Sequence, residues 1–114
     1  MRCTLLTEDW KILALRLMVS GDVDMLTAPD LQIALADALG RRPERLRVDL
    51  NDVGVLSAAA ISVLLQAAKV GAAHGIAYEV VDGSATRRRI VRALGLADAL
   101  ALRTDEAPTS SRND

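Results

Sequence analysis

The sequence predicts an α/β fold in a single domain, with the element order β-β-α-β-α-β-α. Apolar residues alternate with a period of two in several short segments and recur at helical spacing in the segments between them. The chain has 114 residues, enough for one domain with one hydrophobic core. Strands separated by single helices imply a largely parallel sheet with crossovers of one hand.

The first two strands are predicted near the beginning of the chain. Residues 11–20 alternate, with Leu13, Leu15, Leu17 and Val19 on one face, as in a half-buried strand. Residues 3–6 are predicted to form its short partner, joined to it by a polar turn at residues 7–9.

A loop over residues 21–24 is predicted to lead into the first helix. Thr27 is expected to be its N-cap, with Pro29 in the first turn and Asp30 near the positive end of the helix dipole. Apolar residues then recur at helical spacing until Gly40, which is predicted to end the helix.

The second half of the chain repeats this pattern. Residues 45–50 are a predicted core strand, residues 51–56 a connection, and Ser57 the residue before a long helix that Gly75 ends. Residues 76–81 form the last predicted strand. Ser84 then caps an Arg-rich helix, which is predicted to end at Gly95. That helix is expected to bury Ile90, Val91 and Leu94.

The end of the chain is predicted to contain a short helical turn over residues 96–102 and then a tail. The domain is expected to span residues 1–103, and residues 104–114 are expected to be disordered because they have almost nothing apolar to bury.

Composition argues against several classes of function. The net charge is −1 and the aromatic residues are Trp10 and Tyr78 alone, which disfavours binding to nucleic acid or to an anionic membrane. Cys3 is the only cysteine and His74 the only histidine, so an internal disulfide, a thiolate metal cluster and a His-pair metal site are excluded. We predict no catalytic site, metal or cofactor, no membrane span, and a location in the reduced cytosol.

Several charged residues have a structural explanation as well as a functional one. Asp49 is expected to end a strand and order the following loop, because no second titratable group suggests catalysis. The arginines at positions 87, 88, 89 and 92 either bind phosphate or, more often for such a run, form the solvated face of an amphipathic helix. His74 is expected at a helix end, where the dipole favours positive charge.

Three segments together resemble the STAS domain family of anti-sigma factor antagonists and sulfate-transporter tails. They are VSGDVDMLTAPDL (residues 19–31), RVDLNDVGVLSAAAISVLL (residues 47–65) and VDGSATRRRIVRALGL (residues 81–96). Each motif alone is weak, but their order and spacing are specific. The resemblance implies a mixed four- or five-stranded sheet with three to four helices mainly on one face.

The resemblance also implies a partner and a surface. Members of the antagonist type bind an anti-sigma factor that is also a serine kinase, and so free a sigma factor for transcription. The residues here that correspond to the contact surface are Asp22, Asp24, Thr27, Ser57, Ala58, Ala59, Ala60 and Ile61. Asp22 and Asp24 either present carboxylates to basic groups of the partner or belong to a polar loop in which Asp24 bonds local backbone amides.

The sequence departs from the family pattern at the phosphate acceptor. The second serine of the family's DSSG motif corresponds to Ala59, which has no hydroxyl. Phosphorylation would put about −1.5 to −2 charges at a helix N-terminus and block a docked partner, and Ala59 cannot carry that group. Ser57, two residues earlier, is a weak replacement acceptor and is better explained as a helix N-cap.

We therefore expect an anti-sigma factor antagonist without the usual serine switch, and not an enzyme. The alternative is a non-catalytic STAS scaffold or sensor subunit of a larger assembly, such as a lipid-transport or stress-sensing complex. A small-ligand sensor is a third possibility that the resemblance leaves open. The sequence does not predict the oligomeric state.

Overall fold

The computed structural model describes residues 1–104, which form nine elements. In chain order these are β1 (Arg2–Asp9), β2 (Ala14–Val23), α1 (Ala28–Gly40), β3 (Arg45–Leu56), α2 (Ala58–Ala73), β4 (Ala77–Val81), α3 (Ala85–Ala93), α4 (Ala97–Leu100) and β5 (Leu102–Arg103). The predicted α/β class with a mixed sheet is confirmed. The predicted tail lies, from residue 105 onward, outside the described residues.

The sheet has the strand order β1-β2-β3-β4-β5. β1 is antiparallel to β2, and the remaining neighbours are parallel. Because successive right-handed crossovers advance across the sheet in one direction, α1 and α2 lie on the same face and run parallel to each other. β5 has only two residues and was missed by the sequence analysis, since so short a strand has no periodicity.

The core lies between the sheet and helices α1 and α2. In the inner parts of β2 and β3, every second residue points into this core and is buried. The inward-facing residues of the two helices are buried as well. These core residues include Leu15, Leu17, Val19, Leu46, Val48, Leu50, Leu31, Leu35 and Leu64. Each such side chain contributes about 1.5–3 kcal/mol on burial, so the aliphatic core stabilises the fold with almost no aromatic contribution.

The opposite face of the sheet carries a network of ion pairs. Arg16 contacts Glu8 at 2.7 Å and Asp49 at 2.5 Å, and Arg47 pairs with Glu79. Asp49 is buried and its Oδ1 also accepts a hydrogen bond from the Asn51 amide at 2.9 Å. It therefore does order the residues that follow, although the strand does not end there.

The first hairpin turns later than predicted. The prediction of a turn at residues 7–9 is wrong, because Thr7 pairs with Leu15 and Asp9 pairs with Ala14. The chain reverses over residues 10–13, where the Asp9 carboxylate accepts a hydrogen bond from the Lys11 amide at 2.8 Å. Leu13 is consequently in the turn and 40% exposed, outside the buried face of β2.

Strands β2 and β3 both extend beyond their predicted ends. The segments predicted as loops, residues 21–24 and 51–56, are mostly strand because they pair with each other. Gly21 is opposite Val53 and Val23 is opposite Leu56, with one register shift between Met18 and Ser20 and another between Gly21 and Val23. The shifts break the alternation of apolar residues, which is why that alternation ends before the strands do.

Two helices differ from their predicted form. Helix α1 includes Gly40, and the left-handed residue after it is Arg42, with φ of 55°. Helix α3 buries Val91, but Ile90 and Leu94 are 53% and 60% exposed, so their predicted burial is wrong. The inward stripe of α3 is Arg87 and Val91, which are four residues apart, and the stripe of Ile90 and Leu94 lies beside it.

Candidate functional site

The two segments predicted to form the site meet at one end of the sheet. β2 and β3 are parallel neighbours, so the loop after β2 and the start of the helix after β3 emerge at the same edge. The Ser57 amide donates a hydrogen bond to the Val23 carbonyl at 2.9 Å. This bond joins the β2–α1 loop directly to the N-terminus of α2.

Asp22 strengthens this junction. Its Oδ1 accepts a hydrogen bond from the Val55 amide at 3.0 Å, across the gap between β2 and β3. A Cβ atom at Gly54 would lie 2.6 Å from the same oxygen, so any side chain there would push the Asp22 carboxylate away from this bond. The Asp22 carboxylate therefore bonds to the backbone of the site as well as lying at its surface.

Asp24 and Thr27 bond to each other in the β2–α1 loop. The Asp24 carboxylate accepts hydrogen bonds from the amides of Leu26 at 2.9 Å and Thr27 at 3.0 Å, while Thr27 Oγ1 accepts one from the Asp24 amide at 2.9 Å. This reciprocal arrangement is a capping box placed one turn before α1. The backbone hydrogen bond from Thr27 is the main cause that lowers the pKa of Asp24.

Thr27 precedes α1 as predicted, but its side chain does not cap that helix. It has φ of −99° and ψ of −14°, and its hydroxyl makes no bond to a first-turn amide of α1. Asp24 competes for the hydroxyl and holds it toward the loop. Thr27 is therefore the N-cap by position, as predicted, but makes no capping bond through its hydroxyl, and Asp24 bonds local amides of the loop.

The turn exposes two apolar side chains that the sequence analysis did not select. Met25 is 76% exposed and Leu26 is 86% exposed, and Val55 at the end of β3 is 56% exposed. The side chains of Asp24 and Thr27 bond to the backbone of the loop, whereas those of Met25 and Leu26 make no such bond and are exposed. The sequence signal was present as two large apolar residues flanked by turn formers.

The N-terminus of α2 provides the other half of the site. Ser57 is the N-cap, with its Oγ accepting a hydrogen bond from the Ala60 amide at 3.2 Å, as the sequence predicted. Ala58 is exposed, Ala59 and Ile61 are half-buried, and Ala60 is buried. Ala60 therefore belongs to the core and offers no surface, while Ala58, Ala59 and Ile61 do.

Arg87 supports the site from helix α3. Its guanidinium binds both carboxylate oxygens of buried Asp82, at 2.7 and 3.0 Å, and reaches the carbonyl oxygens of Gly54 at 2.8 Å and Leu50 at 3.2 Å. Arg88 donates to the Asp82 carbonyl at 2.8 Å. The expectation of a solvated arginine face thus holds only for Arg89 and Arg92, because Arg87 and Arg88 bond to the end of the sheet.

The remaining titratable groups lie apart from this edge. Burial raises the pKa of the Cys3 thiol in β1 and the pKa of Tyr78, whose hydroxyl donates to the Leu64 carbonyl at 3.1 Å. Over residues 1–104, no group of three or more His, Cys, Asp or Glu side chains is arranged to hold a metal ion. Nor is any helix in that range long and apolar enough to cross a membrane.

The chain resembles several known proteins over most of its length. The family model described as "Mlab, STAS domain" matches residues 6–104. An anti-sigma factor antagonist from Mycobacterium paratuberculosis is 27% identical, with 89% of this chain and 85% of that chain covered and a TM-score of 0.71. No curated protein matches significantly.

Two further solved structures share the fold at lower identity. The anti-sigma factor antagonist SpoIIAA in its unphosphorylated form is 11% identical, with 91% and 88% of the two chains covered and a TM-score of 0.72. The protein TM1081 is 15% identical, with 82% and 76% covered and a TM-score of 0.70. Since the family model spans nearly all of the described residues, this chain belongs to the STAS domain family.

Proposed function

We propose that this chain is an anti-sigma factor antagonist, which binds an anti-sigma factor of the serine-kinase type and so frees a sigma factor. The proposal rests on one observation above others: the β2–α1 loop and the α2 N-terminus are bonded together and expose Met25 and Leu26 beside them. The 27% identity to a solved anti-sigma factor antagonist supports the same function. This role is one of binding, without catalysis, and belongs in the cytoplasm, where sigma factors act.

The partner surface in this proposal has an apolar centre and a polar edge. Met25 and Leu26 supply the apolar contacts, and Asp22 and Asp24 supply negative charge next to them. Exposed apolar side chains favour association because they lose contact with water when a partner covers them, while neighbouring charges set specificity and association rate. The surface is pre-organised, because the Asp24–Thr27 turn and the Asp22–Val55 bond already fix its backbone.

The proposed antagonist lacks the usual off-switch. Ala59 has no hydroxyl, and the Ser57 hydroxyl two residues earlier bonds to the Ala60 amide. A kinase would have to break this cap to phosphorylate Ser57. We therefore expect the protein to stay active in the presence of its partner and ATP.

The direct test measures binding of the purified chain to each anti-sigma kinase encoded in its own genome, by isothermal titration calorimetry. Leu26→Asp should weaken the binding at least tenfold, because it puts a charge in the centre of the surface. Trp10→Asp is the matched control: Trp10 is 87% exposed, against 86% for Leu26, but lies at the opposite end of the sheet. Binding to none of the kinases, or equal effects of the two substitutions, would contradict the proposal.

A second function is supported by the same exposed side chains. As a scaffold or sensor subunit of a larger assembly, such as a lipid-transport or stress-sensing complex, the chain would cover Met25, Leu26 and Val55 permanently. The description of the matching family model does not specify an antagonist, which keeps this alternative open. Purification of the tagged protein from its own cells separates the two: a fixed-stoichiometry complex without an anti-sigma kinase would favour the scaffold.

A further inference from the structure

An apolar groove runs between α1 and α2 on the side of the helices away from the sheet. It encloses about 290 Å³, close to the lower limit for small-molecule sites. Buried Leu35, Leu39 and Ala67 form its floor, and half-buried Val63 and Val70 line it further. The groove is thus a place where apolar surface is only partly covered by the protein itself.

The groove follows α1 and α2, which run side by side in the same direction. From Val63 to His74 the helix advances eleven residues, or about 16 Å at 1.5 Å per residue. A single saturated chain of medium length matches this extent.

One end of the groove is positively charged. Arg42 and His74, which follow the C-terminal ends of α1 and α2, both line it, and Arg42 Nη1 lies 3.1 Å from His74 Nδ1. Among residues 1–104, no carboxylate forms an ion pair with Arg42, whereas its neighbour Arg41 pairs with Asp37 at 3.2 Å. The guanidinium of Arg42 therefore retains donors for an incoming anion.

The negative ends of the two helix dipoles do not cancel this charge. The backbone amide of His74 donates to the carbonyls of Val70 and Gly71, and the Arg42 amide donates to that of Leu39. The last carbonyls are therefore partly satisfied by the chain. Arg42 itself holds a left-handed backbone with φ of 55°, which places a full cation at the end of the groove.

We propose that this groove binds a medium-chain fatty acid, with the alkyl chain between α1 and α2 and the carboxylate on Arg42 and His74. The apolar lining matches the chain, and the guanidinium matches the planar carboxylate. The charged end of this site lies at the end of α2 opposite to Ser57. It does not depend on the proposed antagonist function.

The first test is calorimetric titration of the full chain with decanoate below its critical micelle concentration. Decanoate should bind saturably at one per chain. Decanol, which keeps the chain but not the charge, should bind at least tenfold more weakly, and acetate should not bind. Amide chemical shifts in ¹⁵N spectra should change at Val63 and Val70 rather than at Leu26.

Two substitutions, each with a matched control, test the two halves of the site. Arg42→Asn removes the charge while tolerating the left-handed backbone, and should weaken decanoate about tenfold. Arg41→Asn should not. Ala36→Leu fills the groove from an exposed helical position and should abolish binding, whereas Ala93→Leu on exposed α3 should not. Circular dichroism checks that all four variants stay folded.

Three results would overturn the proposal. The first is equal affinity for decanol and decanoate. The second is unchanged decanoate binding in Arg42→Asn and Ala36→Leu, which would indicate adsorption elsewhere. The third is the absence of any decanoate binding by the folded wild-type chain, including the case in which a second copy of the chain covers the groove and sedimentation shows a dimer.

Discussion

At the scale of single residues, the bonds of Arg87 to Asp82 connect α3 to the end of the sheet. The Asp82 side chain is 3% exposed and that of Arg87 is 17% exposed. Arg87→Ala would leave a buried carboxylate without its cation, and we expect the free energy of unfolding to fall by about 3 kcal/mol. Urea unfolding measures this change.

The matched control for this prediction is Arg89→Ala, two residues later in the same helix. Arg89 is exposed, so its replacement should alter the free energy of unfolding by less than about 0.5 kcal/mol. Similar costs for the two substitutions would show that Arg87 contributes only through the helix propensity and solvation common to all the arginines of α3.

Asp24 makes stability depend on pH. Its folded pKa is below the ordinary value of 3.8, chiefly because its carboxylate accepts a backbone hydrogen bond from Thr27. A lowered folded pKa gives stability that is present above pH 3.8 and is lost as pH falls through the folded pKa. The difference in unfolding free energy between wild type and Asp24→Asn should thus shrink as pH is lowered from 5 to below 3.8. A difference independent of pH would contradict the bonding of this turn.

Sequence patterns identified residues whose partners are close in the chain. Ser57 and Ser84 cap α2 and α3 through bonds to the amides three residues later, as predicted. The function of Arg87 was missed because its partner oxygens at Gly54 and Leu50 are 33 and 37 residues away. Thr27 takes the predicted N-cap position of α1, but its hydroxyl accepts a hydrogen bond from the Asp24 amide instead of from a first-turn amide of the helix.

At the scale of elements, α3 shows how weakly a helix can be anchored by apolar contact. Val91 is 4% exposed, whereas the adjacent Ile90 is 53% exposed. We expect Val91→Ala to cost about 2 kcal/mol, because it removes two buried methyl groups and leaves a cavity. Ile90→Ala should cost less than about 0.5 kcal/mol, and thermal or urea unfolding of both variants checks the contrast.

The small effect expected for Ile90→Ala differs from what the sequence pattern predicted, which was that Ile90 is buried. If Ile90→Ala were as costly as Val91→Ala, the apolar face of α3 would be buried as a whole, and the exposed stripe of Ile90 and Leu94 would have a partner. The sequence defined α3 correctly from Ser84 to Gly95, but periodicity does not specify which of two adjacent stripes faces the sheet.

The sequence pattern also failed to predict the full lengths of β2 and β3. The inner parts of β2 and β3 alternate and were predicted, but their last residues pair through shifted registers. Those same residues carry the site, since Asp22 and Val55 bond across the shifted region. Local patterning fails there because long-range pairing, and not alternation, keeps the backbone extended.

At the scale of the whole molecule, the absent hydroxyl at position 59 allows partner binding and its regulation by phosphorylation to be tested separately. If the proposed function is right, Ala59→Ser should preserve binding to the anti-sigma kinase without ATP, because the position is half-buried and serine is close to alanine in size. With ATP and the kinase, phosphorylation should then release the partner. Mass spectrometry of the modified residue and calorimetry of the complex measure the two steps.

The wild-type chain is the control for this experiment, and Ser57→Ala in the Ala59→Ser background identifies the modified serine. Phosphorylation of the wild-type chain on Ser57, followed by release, would show that the switch has moved by two residues instead of being lost. Phosphorylation at position 59 without release would show that the partner does not contact the start of α2.

The order of strands in the sheet has a consequence for how the chain acquires its structure. From residue 2 to residue 103 each strand pairs with the one that precedes it in the chain, without any exchange of position. Each parallel pair, such as β2 with β3 or β3 with β4, is therefore closed by a single helical crossover and not by a longer excursion past other strands, which limits the entropy lost in closing it. During synthesis, each new helix and strand can dock on the part of the sheet that has already formed. The centre of the sheet can therefore form before the last strand has been synthesised.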